Sequence, residues 1–360
     1  MDRVGVTAGS DVRLTVVGPI APPVSGQSVV TTQMVSELEP HFARMRIANI
    51  NVGDGGSWRR RAISFGRSVS ALWSIPGSDA VYIAIKSHRG MWLTTAAAGL
   101  ARLARARVFL HHHSYDHVRV RRPRMVALTH VAGPHAHHIV LSRTMASDLS
   151  RVMPEIPRPL VIGNAGFIDR ALLELALKPD GGELVLGHLS NLRLLKGIAE
   201  VVDLAAALNH AGIRTRLVVG GPTEDGESRL HLNRAARELG DLFEYRGPLT
   251  GEAKRAFFAD ITHFVFPSRD EALPLVLYEA MAAGVICVTT RQGSIPEQLA
   301  DSPSVLAHSA DSFVEETLPV LAGASVSTAA SHDSRRAYLR ALSESERQRT
   351  CFVELLAGRE

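Results

Sequence analysis

The chain has 360 residues, 46% hydrophobic, 21% charged and 5% aromatic, with a formal net charge of +4 at pH 7. That length is generous for one core and comfortable for two, and the Ala/Val/Leu-rich composition suits parallel sheets covered by helices. Two cysteines, Cys287 and Cys351, exclude a disulfide framework or a cysteine metal cage and point to a reducing compartment.

The N-terminus opens on Asp2 and Arg3, and its first apolar run is broken by Pro19, Pro22 and Pro23, so no secretory leader is expected. No stretch of about 18–20 uncharged apolar residues is present; the best, residues 91–110, contains Arg102, Arg105 and Arg107. A buried strand is predicted at residues 12–17, then a Pro/Gly loop from Gly18 to Ser28 and a helix at 29–38. Strands follow at 80–85 and 108–113 with a helix at 95–105 between them, and a short strand at 139–141. This alternation implies right-handed βαβ units and a parallel sheet.

His111, His112 and His113 close the strand 108–113, just before Ser114. Neighbours on a strand point to opposite faces, so only His111 and His113 share one. No carboxylate–histidine zinc spacing accompanies them, and no metal site is expected. Arg119, Arg121, Arg122 and Arg124 form a basic loop beyond. Such a run is usually a solvated face; it also suits an acceptor phosphate or an anionic membrane surface.

Pro154, Pro157 and Pro159 break the pattern, and a second series begins near Leu160. Its strands are predicted at 160–162, 183–189, 214–219, 242–245, 263–266 and 285–290. Val201, Leu204, Ala205 and Leu208 make one helical stripe, with Gly212 as its stop. A last amphipathic helix is predicted at 343–356. Asn191 and Lys196 fall in a strand-to-helix loop at the C-terminal edge of the sheet, where doubly wound folds bind ligands. Helix-start amides and a lysine charge suit a phosphate there; a surface lysine beside a capping loop is the plainer reading of those residues alone. Gly220 and Gly221, before Pro222, allow close backbone approach to a ligand, or simply a tight turn.

Residues 266–299 are the most informative. Glu271 and Glu279 flank a predicted helix start, with Pro274 as first helical residue and Gly284 as the end. Along a helix the two acids are at most about 12 Å apart at roughly 1.5 Å per residue, the order of the span from a hexose across a diphosphate to a ribose.

The pattern P-S-x-x-E…E-A-M-A-x-G, with its E-x7-E spacing, resembles that of the retaining glycosyltransferases of the GT-B fold, glycosyl transferases group 1 (family 4-like). The resemblance covers nearly the whole chain and is strongest over 184–299. It implies an α/β protein with two Rossmann-like domains facing a cleft: an acceptor-side domain (1–163), a nucleotide-sugar-binding domain (164–340), and a C-terminal helix (341–360) packing back on the first. It implies transfer of a hexosyl-type sugar, with retention and without metal or cofactor, from a nucleotide-diphosphate sugar to a glycan, lipid-linked or small-molecule acceptor.

The same resemblance makes Glu271, His113 and Lys196 catalytic. Lys196 and the residue five before it, here the uncharged Asn191, hold the donor diphosphate. Glu279 binds the ribose, Glu271 lies near the hexose, and amides after it, Leu275 included, touch sugar or phosphate. Ala272-Leu273-Pro274 stand where the family has G-F-G, which removes one amide at Pro274. Gly220 and Gly221 line the donor pocket, and Gly26 belongs to a loop closing over the diphosphate, with Gln27 in place of its second glycine. Asn164 matches the end of the hinge strand. The expected setting is cytoplasmic, in polysaccharide or cell-envelope glycan synthesis, with peripheral contact to anionic membrane through Arg119, Arg121, Arg122 and Arg124 and no nucleic-acid partner. A non-catalytic nucleotide-sugar-binding subunit, or an epimerase or phosphorylase on the same fold, remains open. A nicotinamide dehydrogenase is poorly supported, because no G-x-G-x-x-G opens either half.

Overall fold

The computed structural model describes residues 10–21, 26–50, 58–86 and 90–359. The chain divides into two compact units, one of residues up to Phe167 together with Glu344–Glu360, the other Ile168–Ser343.

The first unit is built on six parallel strands: β1 (Ser10–Gly18), β2 (Phe42–Asn49), β3 (Ala80–Ile85), β4 (Arg107–His112), β5 (His137–Val140) and β6 (Leu160–Val161), in the order β2-β1-β3-β4-β5-β6. Every residue of β3 is buried, as a strand covered on both faces requires. Two readings of the sequence are corrected. The strand at Leu160 pairs with β5, Ile139 opposite Leu160 and Val140 opposite Val161, so it is the edge of the first sheet and not the start of the second series. The strand predicted to reach His113 stops at His112. β2 is absent from the sequence reading because it is an edge strand, mostly solvent-facing, whose F-A-R-M-R-I-A-N pattern carries no clear alternation.

The second unit repeats the plan with β7 (Leu184–Leu189), β8 (Thr215–Gly220), β9 (Phe243–Tyr245), β10 (His263–Phe266), β11 (Ile286–Thr290) and β12 (Val305–Ala307), ordered β12-β11-β10-β7-β8-β9. The helix Ile198–His210 buries Val201, Leu204, Ala205 and Leu208 against Leu186, Leu217 and Val265 of the sheet. It stops where expected: Gly212 takes φ +80°, and Ile213 N–H bonds Leu208 O at 3.0 Å. After β9 the chain returns to the far side of β7, so the strand order reverses between β7 and β10, which run parallel. In open α/β sheets such a switch point is where ligands bind.

The helix after β10 runs Leu275–Ala282. Pro274 is its N-cap, with extended ψ of 126°, and not its first helical residue, so the helix begins one residue later than predicted. The C-terminal helix is also longer than predicted, Thr328–Leu356. Its first turns hide from a periodicity reading because buried Ser331 and Ser334 dock on backbone, their hydroxyls donating to Gly284 O (2.6 Å) and Val285 O (2.8 Å). Among the described residues no helix is long and apolar enough to cross a membrane.

Candidate active site

The loops that leave β7 and β10 meet at the switch point of the second unit. After β7 comes a single tight turn, Leu194–Lys196, and then Gly197 with φ +84° caps the helix Ile198–His210. A Cβ on Gly197 would lie 2.4 Å from Pro267 Cγ and 2.6 Å from Pro267 O. Only glycine lets the two loops approach this closely. The approach puts Lys196 Nζ 2.5 Å from Glu271 Oε1, and Ser268 Oγ donates to the same oxygen at 2.9 Å. Burial pushes the Glu271 carboxyl above its usual pKa, against the opposing pull of Lys196 and Ser268.

Residues that the sequence reading passed over hold this loop in place. Gly293 (φ +55°) passes so near Glu271 that a Cβ would stand 2.1 Å from Glu271 O. Ser294 N–H bonds Ala272 O at 2.9 Å, and Thr290 Oγ1 donates to Ser268 O at 2.7 Å. Beneath them His188, fully buried on β7, spans both strands: Nδ1 meets Val265 O at 2.9 Å and Nε2 meets Ser190 Oγ at 2.8 Å. A carbonyl can only accept, so Nδ1 carries the proton and Nε2 accepts from the serine. Burial brings the His188 pKa down to about 4, and the ring stays neutral near pH 7.

Glu279, buried on the helix Leu275–Ala282, pairs with Lys254 Nζ at 2.5 Å from the helix Gly251–Asp260. Leu275 is the first residue of the Glu279 helix. Gly220 and Gly221 are accounted for by packing: a Cβ on Gly221 (φ +114°) would lie 1.7 Å from Ser190 O, and one on Gly220 2.6 Å from Leu249 Cδ1. Asn191 is exposed and donates to Glu224 Oε1 at 2.8 Å, while Arg193 pairs with the other oxygen of the same carboxylate. Glu224 follows β8, and a backbone bridge between Leu192 and Thr223 brings it there. The sequence offered no local sign of that pairing. Asn191, Lys196, Gly220, Gly221 and Glu271 thus share the C-terminal edge of one sheet.

In the first unit Gly26 is exposed at the start of the helix Gly26–Leu38; residues 22–25 of the preceding loop lie outside the described residues. Gln27 uses its side-chain amide to donate to Ile85 O at 2.7 Å, tying the helix start to the end of β3. His111 Nδ1 meets Tyr82 OH at 2.5 Å, and His112 is held between His117 (3.0 Å) and His138 (2.9 Å). The His113 ring lies 4.1 Å from the His111 ring, tilted by 37°, and its buried Nε2 has no hydrogen-bond partner among the described residues. Burial drives the His113 pKa to about 3. Among the described residues no group of three His, Cys, Asp or Glu side chains is arranged to hold a metal.

The arginine loop is less basic than its sequence. Arg121 bonds both oxygens of Glu155 (2.9 and 2.7 Å), and Arg122 pairs with Asp116 at 2.6 Å. Arg119 lies 4.9 Å over the Tyr115 ring.

Residues 173–323 match the family described as Glycosyl transferases group 1. This segment lies inside the second unit and carries the Lys196–Glu271 pair. Among curated proteins, the putative glycosyltransferase EpsF of Bacillus subtilis (strain 168) is 34% identical over 105 residues, covering 29% of this chain and 27% of that protein. The D-inositol 3-phosphate glycosyltransferase of Streptomyces coelicolor is 31% identical over 171 residues, covering 43% and 35%. The matched part therefore spans only about a third of these relatives' length. Two solved structures share the fold over almost the whole chain. Anabaena HepE in complex with UDP aligns with a TM-score of 0.69 at 14% identity, covering 96% of this chain and 100% of that one. Sucrose-phosphate synthase from Thermosynechococcus elongatus gives 0.66 at 16% identity, covering 94% and 99%. The fold is GT-B, a pair of Rossmann-like units.

Proposed function

We propose that this glycosyltransferase moves a hexosyl-type sugar, with retention and without a metal or other cofactor, from a nucleotide-diphosphate sugar to a glycan, lipid-linked or small-molecule acceptor. The observation that carries the reading is the Lys196–Glu271 pair at the β7/β10 switch point, beside the start of the helix Ile198–His210. The leaving diphosphate would take Lys196 Nζ and the helix-start amides, releasing Glu271 to orient the hexose. Glu279 would anchor the ribose. Positioning and charge stabilisation of this kind account for most catalysis of group transfer without covalent protein chemistry. The UDP bound to HepE and the glycosyltransferase names of the relatives favour a nucleotide-sugar donor.

A second reading, donor binding without turnover, draws on Asn191: an uncharged side chain, bonded to Glu224, stands where the resemblance puts a cation. One experiment separates the two. Thermal unfolding is followed against UDP-, GDP- and ADP-sugars, with and without chelator, alongside donor hydrolysis and transfer. A ligand at 100 times its Kd adds about 2.7 kcal/mol, worth several degrees of Tm. A chelator-resistant shift from one nucleotide class together with turnover supports the transferase; a shift with no turnover on any acceptor supports the binding subunit. No shift with any donor overturns both.

A further inference from the structure

All three tryptophans of the chain, Trp58, Trp73 and Trp92, fall between Asp54 and Asp116. Over that stretch the one acid is Asp79, against nine lysines and arginines. Asp79 is itself matched by Arg13, at 2.7 Å. Nothing in the sugar-transfer chemistry asks for this combination.

The structure gathers part of the segment into one face of the first unit. The helix Trp58–Ala71 and the helix Met91–Leu103 flank an apolar groove of about 620 Å3, floored by Leu72 and Leu100. Its rim is formed by Val69, Trp73, Trp92 and Leu103, which are 41%, 79%, 65% and 83% exposed. Two tryptophans and a leucine this open on one groove are costly in water, and most exposed apolar residues of a folded chain are scattered singly. Arg102 and Arg105, either side of the open Leu103 at the end of the second helix, are both exposed.

Arg105 adds an independent sign. It is the one non-glycine residue with positive φ (57°) among the described residues, at the position after a helix where glycine normally ends the turn. Its N–H bonds Arg102 O at 3.0 Å and the next residue's N–H bonds Ala101 O at 3.0 Å, so the turn is the ordinary helix-closing one. An L-residue there is strained, yet the chain keeps an arginine beside the open Leu103.

We propose that this face is a docking surface for an anionic lipid bilayer. Tryptophan and leucine suit the interfacial depth of a membrane, and basic side chains around them suit its negative headgroups. A second copy of the chain fits less well, because two faces of like charge would meet. The surface is distinct from the loop of Arg119, Arg121, Arg122 and Arg124, two of whose charges are already matched by carboxylates. Vesicle binding needs no donor, so the proposal stands or falls apart from the transfer reaction.

The test is co-sedimentation of the full chain with phosphatidylcholine vesicles, with and without phosphatidylglycerol, together with tryptophan emission. The parent should pellet with the anionic vesicles, weaken in high salt, and shift its emission to the blue. The double variant Trp73→Ser/Trp92→Ser should lose at least about tenfold in partitioning with its Tm unchanged, since both side chains are exposed. Arg105→Gly should hold or raise Tm while losing about fivefold in binding, roughly the worth of one basic charge at an anionic surface. Equal binding to neutral and anionic vesicles, or undiminished binding by both variants, overturns the proposal. So does a parent that fails to pellet, or one that is a dimer while the double variant is a monomer, which would assign the face to a second copy.

Discussion

Lys196 and Glu271 are the residues on which most depends, and each has a different consequence when removed. With Lys196→Ala, a nearly buried carboxylate loses its counter-charge and keeps only Ser268. A carboxyl whose pKa is raised by folding contributes stability below its ordinary value of 4.5, and loses it as pH rises through the folded pKa. The variant should therefore lose about 1–3 kcal/mol at neutral pH and much less near pH 4.5, each compared with the parent in urea melts. An equal loss at both pH values would show that the lysine acts through packing alone. Glu271→Gln should be milder, because an amide can still accept from Ser268. Both residues stand out in the sequence, but their pairing does not: 75 residues separate them, and only the order of β7 and β10 brings them together. Glu224 and Gly293 escaped for the same reason, since each matters through a partner on another loop.

At the scale of elements, the helix Leu275–Ala282 is fastened to the helix Gly251–Asp260 by Glu279 and Lys254. That bond gives Glu279 a structural task as well as its proposed ribose contact, and the two tasks can be separated. Lys254→Met should cost about 1–2 kcal/mol, yet leave donor-induced stabilisation in place. Glu279→Gln should lose both stability and the donor shift. If Lys254→Met abolished the shift as fully as Glu279→Gln, the contact would be helix placement and not ribose recognition. The elements themselves were legible wherever burial was complete. β10 falls at His263–Phe266 as predicted, and the helix closing on Gly212 was visible as a stripe of Val201, Leu204, Ala205 and Leu208. The edge strand β2 was not: it exposes most of its residues, and its sequence carries no alternation for a periodicity reading to register. Pro274 missed by one position because proline's φ suits both N-cap and first turn; its ψ of 126°, which the sequence does not fix, decides.

At the scale of the whole molecule, the buried histidines among the described residues are unevenly shared. The first unit holds His111 and His112 with pKa values pushed far down by burial, His113 at about 3, and His117 and His138 at about 4. The second unit holds His188 and His263, both at about 4. An imidazole whose folded pKa lies below its ordinary 6.5 takes up a proton on unfolding. Its contribution to stability is complete above pH 6.5 and is lost as pH falls from there toward the folded value. Each such ring steepens the loss by up to about 1.4 kcal/mol per pH unit. With five rings against two, the first unit should loosen first on acidification. Hydrogen exchange between pH 7 and pH 5 should show β3, β4 and β5 losing protection before β7 and β10. The cause is the hydrogen-bonded His138–His112–His117 chain, whose rings cannot all accept a proton without breaking the bonds that join them. His112→Gln, unable to charge, should flatten that pH dependence in the first unit and leave the second untouched. Protection lost first in β7 and β10, or at one rate in both units, would place the acid-sensitive step elsewhere.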